Sequence, residues 1–271
     1  MDIFFLLLLC LAAGSLSTLF WIPEPDLGQG YFLTNALIVQ VLVAVCLAVV
    51  WMHPFEPFGH RETLGSVLLG TGLAATLAYY ATIIRKRWRA ARVAAAIATA
   101  TIATALLLAG RALGSSQIEL PFREPLLVLS LIASALVLGW SLITMLLGHW
   151  YLVSPRLTFR YLVVFCGVLL TLVVVRGLLV GGALWAAASV PQVVEPHPWD
   201  LLVSFRGEGI FFWFRILWGI AMPLLLAFLS LHCARNRSNQ SATGILYVQV
   251  VGALVGETTA LYLTLTTGVP V

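Results

Sequence analysis

The chain has 271 residues, of which 61% are hydrophobic and only 10% charged, with a formal net charge of +4 at neutral pH. Soluble domains carry about a quarter charged residues, so this composition, with a mean hydropathy of +1.01, excludes a soluble globular protein and indicates an integral membrane protein. The one basic run, at residues 85–92, is confined to a single tight loop, which argues against a nucleic-acid partner and leaves the lipid bilayer as the first one.

A helix needs about 20 apolar residues to cross roughly 30 Å of hydrocarbon. Eight such runs are found, at approximately 3–21, 32–52, 63–84, 93–113, 126–148, 161–185, 210–233 and 244–266. None alternates as a barrel strand would, so the expected fold is all-α: a single membrane domain over 1–271 built as a bundle of about eight transmembrane helices.

The first run follows "MD", without the positive charge of a secretion signal, and is read as a retained helix. After the second comes "HPFEPFGHRE", which gathers His53, Glu56, His60 and Glu62. Its prolines and the lack of helical i, i+4 geometry argue against a metal site there. The third and fourth runs are rich in small residues ("GSVLLGTGLAATLA", "VAAAIATATIATA"), as closely packed membrane helices are. Between them, "RKRWRAAR" supplies Arg85, Lys86, Arg87, Arg89 and Arg92.

With Arg156, Arg160, Arg235 and Arg237, these residues mark one side as cytoplasmic. Both termini are therefore expected on the opposite side, in a cell inner membrane. Cys10, Cys46, Cys166 and Cys233 have no CxxC spacing and are read as packing residues. The loop "SVPQVVEPHPWDLLVSFRGEG" contains a segment that would lie at the interface, with Trp199 and Phe205 towards lipid and Asp200 and Arg206 towards water.

Three charges fall inside the apolar runs: Arg176 in the sixth, Arg215 in the seventh and Glu257 in the eighth. Charged residues near the bilayer centre cost about 2.5–3.5 kcal/mol on insertion scales, so they turn into the bundle and find partners. Arginine stays ionised, so two cations face one carboxylate. That excess suggests a site for an electron-rich group, such as a quinone carbonyl, a carboxylate or an oxyanion, to which Arg111 at the end of the fourth run would add. Glu257 is also a candidate proton carrier.

A plainer alternative stands beside this reading. Arg176 and Glu257 would form an ion pair that sets helix register, and Arg215 would snorkel to the interface. In the seventh run, Pro223 removes the backbone donor to Gly219 and is expected to kink the helix, leaving a free carbonyl. His149 and His232, at helix ends on the basic side, form the one candidate haem b pair, but they lie outside the hydrocarbon and interfacial anchoring fits them better.

No HExxH, GxSxG or glycine-rich phosphate loop occurs, which argues against a self-contained enzyme. Eight spans, with "GETTALYL" (Gly256–Leu263) in the last, resemble the membrane anchor subunits of the dimethyl sulfoxide reductase and polysulfide reductase family. Where many relatives have an arginine four residues after the glutamate, this chain has Leu261.

The resemblance implies a bundle that exchanges electrons with a quinol through an attached iron-sulfur subunit, usually without haem of its own. The leading expectation is accordingly a quinone-interacting membrane subunit of an electron-transfer complex. A small-anion or proton transporter and a non-catalytic assembly protein are the alternatives.

Overall fold

The structure is a computed structural model that describes residues 2–21, 27–52, 58, 62–112, 120–153, 160–191 and 197–271. It is helical, with α1 (Asp2–Ser17, extended by a tighter turn Thr18–Phe20), α2 (Gln29–Met52), α3 (Glu62–Ile84), α4 (Trp88–Ala112), α5 (Arg123–Val153) and α6 (Arg160–Ala188). The short α7 (Pro198–Val203), then α8 (Glu208–Arg235) and α9 (Asn239–Thr267), complete the described chain.

Among the described residues, eight of these helices are long and apolar enough to cross a membrane, as the sequence indicates, and the protein is a multi-pass membrane-helix bundle. Backbone groups have no water to bond in lipid, and a helix satisfies them within itself. Several helices outrun the hydrophobic stretches. α5 has 31 residues and carries His149, Trp150 and Tyr151 in its last turn, where amphipathic side chains anchor a helix at the interface.

α5 is the hub, packing against α1, α6 and α9, while α8 lies between α6 and α9. The small-residue helices α3 and α4 pair closely, as expected. The tightest crossing is elsewhere, between α1 and α5 at Gly14 and Gly139. A Cβ on Gly14 would strike the Ala135 carbonyl, and one on Gly139 would strike the backbone at Gly14 and Ser15.

Backbone does not yield as a side chain does. Gly139→Ala is expected to cost about 1–3 kcal/mol through overpacking, read as a lower thermal midpoint of the detergent-solubilised protein. An unchanged midpoint would show that the crossing is looser than described.

α7 leaves Trp199 partly exposed and Phe205 largely so, and the Phe205 ring stacks on Trp213 at 5.4 Å. Cys10, Cys46 and Cys166 are buried, Cys233 is half-buried, and all four are free thiols.

Candidate functional site

The structure brings Arg176, Arg215 and Glu257 together in one fully buried cluster, with exposures of 1%, 0% and 0%. α6 contributes Arg176, whose Nε donates to Glu257 Oε1 and Oε2 at 3.3 and 3.2 Å and whose Nη2 donates to Oε2 at 3.1 Å. From the other side Arg215 Nη2 donates to Glu257 Oε1 at 2.9 Å. Helix α5 supplies the hydroxyls: Ser134 Oγ donates to Glu257 Oε2 at 2.7 Å, and Ser130 Oγ accepts from Arg176 Nη1 at 3.0 Å.

Arg215 does not snorkel, and the local backbone shows why. Pro223 has no N–H to offer the Gly219 carbonyl, the chain from Arg215 to Ala221 widens into a π-helical turn, and Arg215 Nη1 donates to that carbonyl at 3.1 Å. Gly219 on α8 then meets Gly256 on α9 backbone to backbone, so the guanidinium reaches Glu257 across a joint without side chains. Its Nε alone makes no hydrogen bond. The free carbonyl expected of Pro223 exists, and the protein's own arginine occupies it.

One end of the cluster is closed by residues 268–271. Gly268 adopts the left-handed conformation (φ 72°) that ends α9, and the chain folds back so that Val269 and Val271 are fully buried. Arg123 Nε donates to the Gly268 carbonyl at 3.3 Å, and Arg176 Nη2 to the Val271 carbonyl at 3.0 Å.

Arg111 is not part of this cluster. It is exposed and pairs with Glu124 at 3.5 Å, because at a helix end water and an acidic neighbour are both within reach. The candidate haem ligands turn to local partners: His149 Nδ1 lies 3.3 Å from Tyr247 Oη, and His232 Nε2 lies 3.0 Å from Asn236 Nδ2. His53, Glu56, His60 and the Glu62 side chain lie outside the described residues.

Sequence reading missed Ser130 and Ser134. Their four-residue spacing on one face of an apolar helix is the signal that would have found them.

Beside the cluster, a membrane-facing apolar groove of about 220 Å³ is lined by Phe214, Trp218, Met222, Val251, Gly252 and Val255. Phe214, Trp218 and Val255 are the chain neighbours of Arg215, Gly219 and Gly256, while Arg215 itself, fully buried, does not line the groove. Buried ion pairs repay their desolvation only when hydrogen bonding is nearly complete. Here both carboxylate oxygens accept several bonds, two guanidinium side chains face one carboxylate side chain, and Arg215 Nε makes no hydrogen bond.

No known protein family, no curated protein and no solved structure matches this chain.

Proposed function

We propose that the protein is a quinone-interacting membrane subunit of an electron-transfer complex of the inner membrane, with the Arg176–Glu257–Arg215 triad as its functional centre. The observation that carries this reading is the pair of buried guanidinium groups on one carboxylate, with an apolar groove lined by Phe214, the chain neighbour of Arg215, and by Trp218. A quinone ring is apolar enough to partition into lipid and would enter between Phe214 and Trp218. Its carbonyl oxygens would face the α8–α9 joint, behind which lies the buried Arg215 guanidinium with an Nε that makes no hydrogen bond.

Glu257 then acts as the fixed counter-ion that holds both arginines in place. Both guanidinium groups lie within 3.1 Å of it, and it is the carboxylate of the centre that would take a proton as quinol is oxidised. Iron-sulfur or other redox subunits would be the electron partners, as the family resemblance implies.

A photoreactive quinone, irradiated with the purified protein in lipid nanodiscs, is expected to label peptides of α8 and α9 around Trp218 and Val255. Excess unlabelled quinone should protect them. Labelling that is uniform over the lipid-facing helices, or that competitor does not reduce, would remove the quinone site.

A second reading is favoured by one specific observation. Every guanidinium nitrogen of the triad except Arg215 Nε makes a hydrogen bond to a protein group, as in a purely architectural lock. In a non-catalytic assembly protein the charges would hold α5, α6, α8 and α9 in register and do nothing more.

A further inference from the structure

The interface between α5 and α9 contains polar groups that the triad does not use. Its two ends are fixed by contacts: Ser134 bonds Glu257 at one end, and at the other a Cβ on Gly148 would lie 2.8 Å from Thr243 Oγ1. The antiparallel helices thus span the same interval, about 21 Å at 1.5 Å per residue. Within it lie Ser141 and Thr144 on α5, both 0% exposed, and Thr243 on α9 at 1%; Gln249, also 0% exposed, lies towards the α8 side of α9, seven residues before Gly256. The crossing of α1 adds Ser15, at the level of Gly139 and 1% exposed. None of these side chains makes a hydrogen bond, and both ends of the Gln249 amide are without partners.

Threonines elsewhere in the bundle behave differently. Thr34, Thr99, Thr104, Thr171, Thr258 and Thr264 each donate to the carbonyl four residues back, the usual way for a membrane helix to satisfy a hydroxyl. Thr144 and Thr243 do not.

Leaving a buried amide or hydroxyl unpaired costs several kcal/mol in an apolar medium, and buried water, with about three hydrogen bonds each, is the common remedy. The end of the interval away from the triad is the end of the bundle that carries Arg85, Lys86, Arg87 and Arg89; there His149, one residue beyond Gly148, meets Tyr247, four residues inside Thr243. Its far end is the triad, which residues 268–271 close on the opposite side.

We infer that Ser141, Thr144, Thr243 and Gln249, with Ser15, line a file of bound water that runs from the His149–Tyr247 end to the triad. The file gives the buried charges aqueous contact with one side of the membrane only. It deepens the reading of the triad as a functional centre, because a site that exchanges protons with quinol needs such a route, whereas an architectural lock does not.

The test is thiol accessibility, read without quinone or partner subunits so that its result is separate from that of the quinone experiment. In a variant lacking the four native cysteines, Ser141→Cys, Thr144→Cys and Thr243→Cys are introduced singly into the full chain in oriented proteoliposomes. They are then treated with a small, charged methanethiosulfonate. The cysteine thiolate, which forms where water reaches, attacks the sulfenyl sulfur of that reagent and expels methanesulfinate, leaving a mixed disulfide.

Each should react about tenfold or more faster than Val43→Cys, a fully buried position in α2, and only from the His149 side. Adding Gln249→Leu should suppress labelling at 141 and spare it at 243. Reactivity no greater than at position 43, or equal from both sides, would overturn the file. Should a cysteine variant fail to accumulate, hydroxyl-radical footprinting of the unmodified chain decides the same question. Oxidation of Met145 and Leu142 above that of other membrane-embedded residues supports the file, and its absence contradicts it.

Discussion

Replacing Glu257 with leucine is expected to destabilise the bundle by about 3–5 kcal/mol, the range for breaking a buried ion pair from one side. The size follows from what is left behind. Arg176 retains Ser130 and the Val271 carbonyl, and Arg215 retains the Gly219 carbonyl, but two fully buried cations then face each other without an anion. Little of the variant should survive extraction, and its thermal midpoint in detergent should fall by far more than that of Ser134→Ala, which removes one hydrogen bond to a charged group, worth about 1.5–3 kcal/mol.

The companion experiment separates charge from packing. Arg176→Leu, Arg215→Leu and Glu257→Leu combined should recover most of the lost stability, because a desolvated charge cluster exchanged for apolar side chains is often neutral or stabilising. A single Glu257→Leu variant as stable as the unmodified protein would mean that the arginines do not depend on Glu257 as their counter-ion.

Gly256→Val should have the next largest effect, and by a different route. A Cβ at Gly256 would meet Gly219 Cα and approach Arg215 Nη1 to 2.9 Å, so α8 and α9 would have to separate where the π-helical turn now brings them together. Overpacking of this kind costs about 1–3 kcal/mol. The separation also draws Arg215 away from Glu257, so quinone photolabelling near Trp218 should fall by more than the thermal midpoint suggests. Labelling that stays unchanged in a stably folded Gly256→Val protein would show that the glycine joint is irrelevant to the groove.

The eight spans were legible because hydrocarbon thickness dictates the length of an apolar run and leaves few alternatives. The triad was legible for a related reason. An arginine or glutamate deep in such a run has no stable place except the interior, so Arg176, Arg215 and Glu257 were bound to converge. Arg111 misled because it lies at a helix end, where the same residue type meets water and Glu124 and no inward pressure acts on it.

Other parts depend on how helices meet, which a single chain does not display. Nothing in "GETTALYL" announces that Gly256 will face Gly219, or that the crossing of Gly14 and Gly139 will be tighter than the small-residue pairing of α3 and α4. Pro223 foretold the free carbonyl, but that Arg215 would fill it follows only once the π-helical turn is seen. The polar file between α5 and α9 was hidden for the same reason. Serine, threonine and glutamine scattered through apolar helices look alike until it is known which of them bond their own backbone.

The most direct measurement of the central claim is quinol-dependent turnover by the complex that co-purifies with the triple leucine variant of Arg176, Arg215 and Glu257, compared with the unmodified complex at equal assembly. If the triad is a functional centre, turnover is lost although the bundle folds and its partners remain bound. If turnover is retained, the three charges are architecture, and the functional site must be sought elsewhere in the membrane domain.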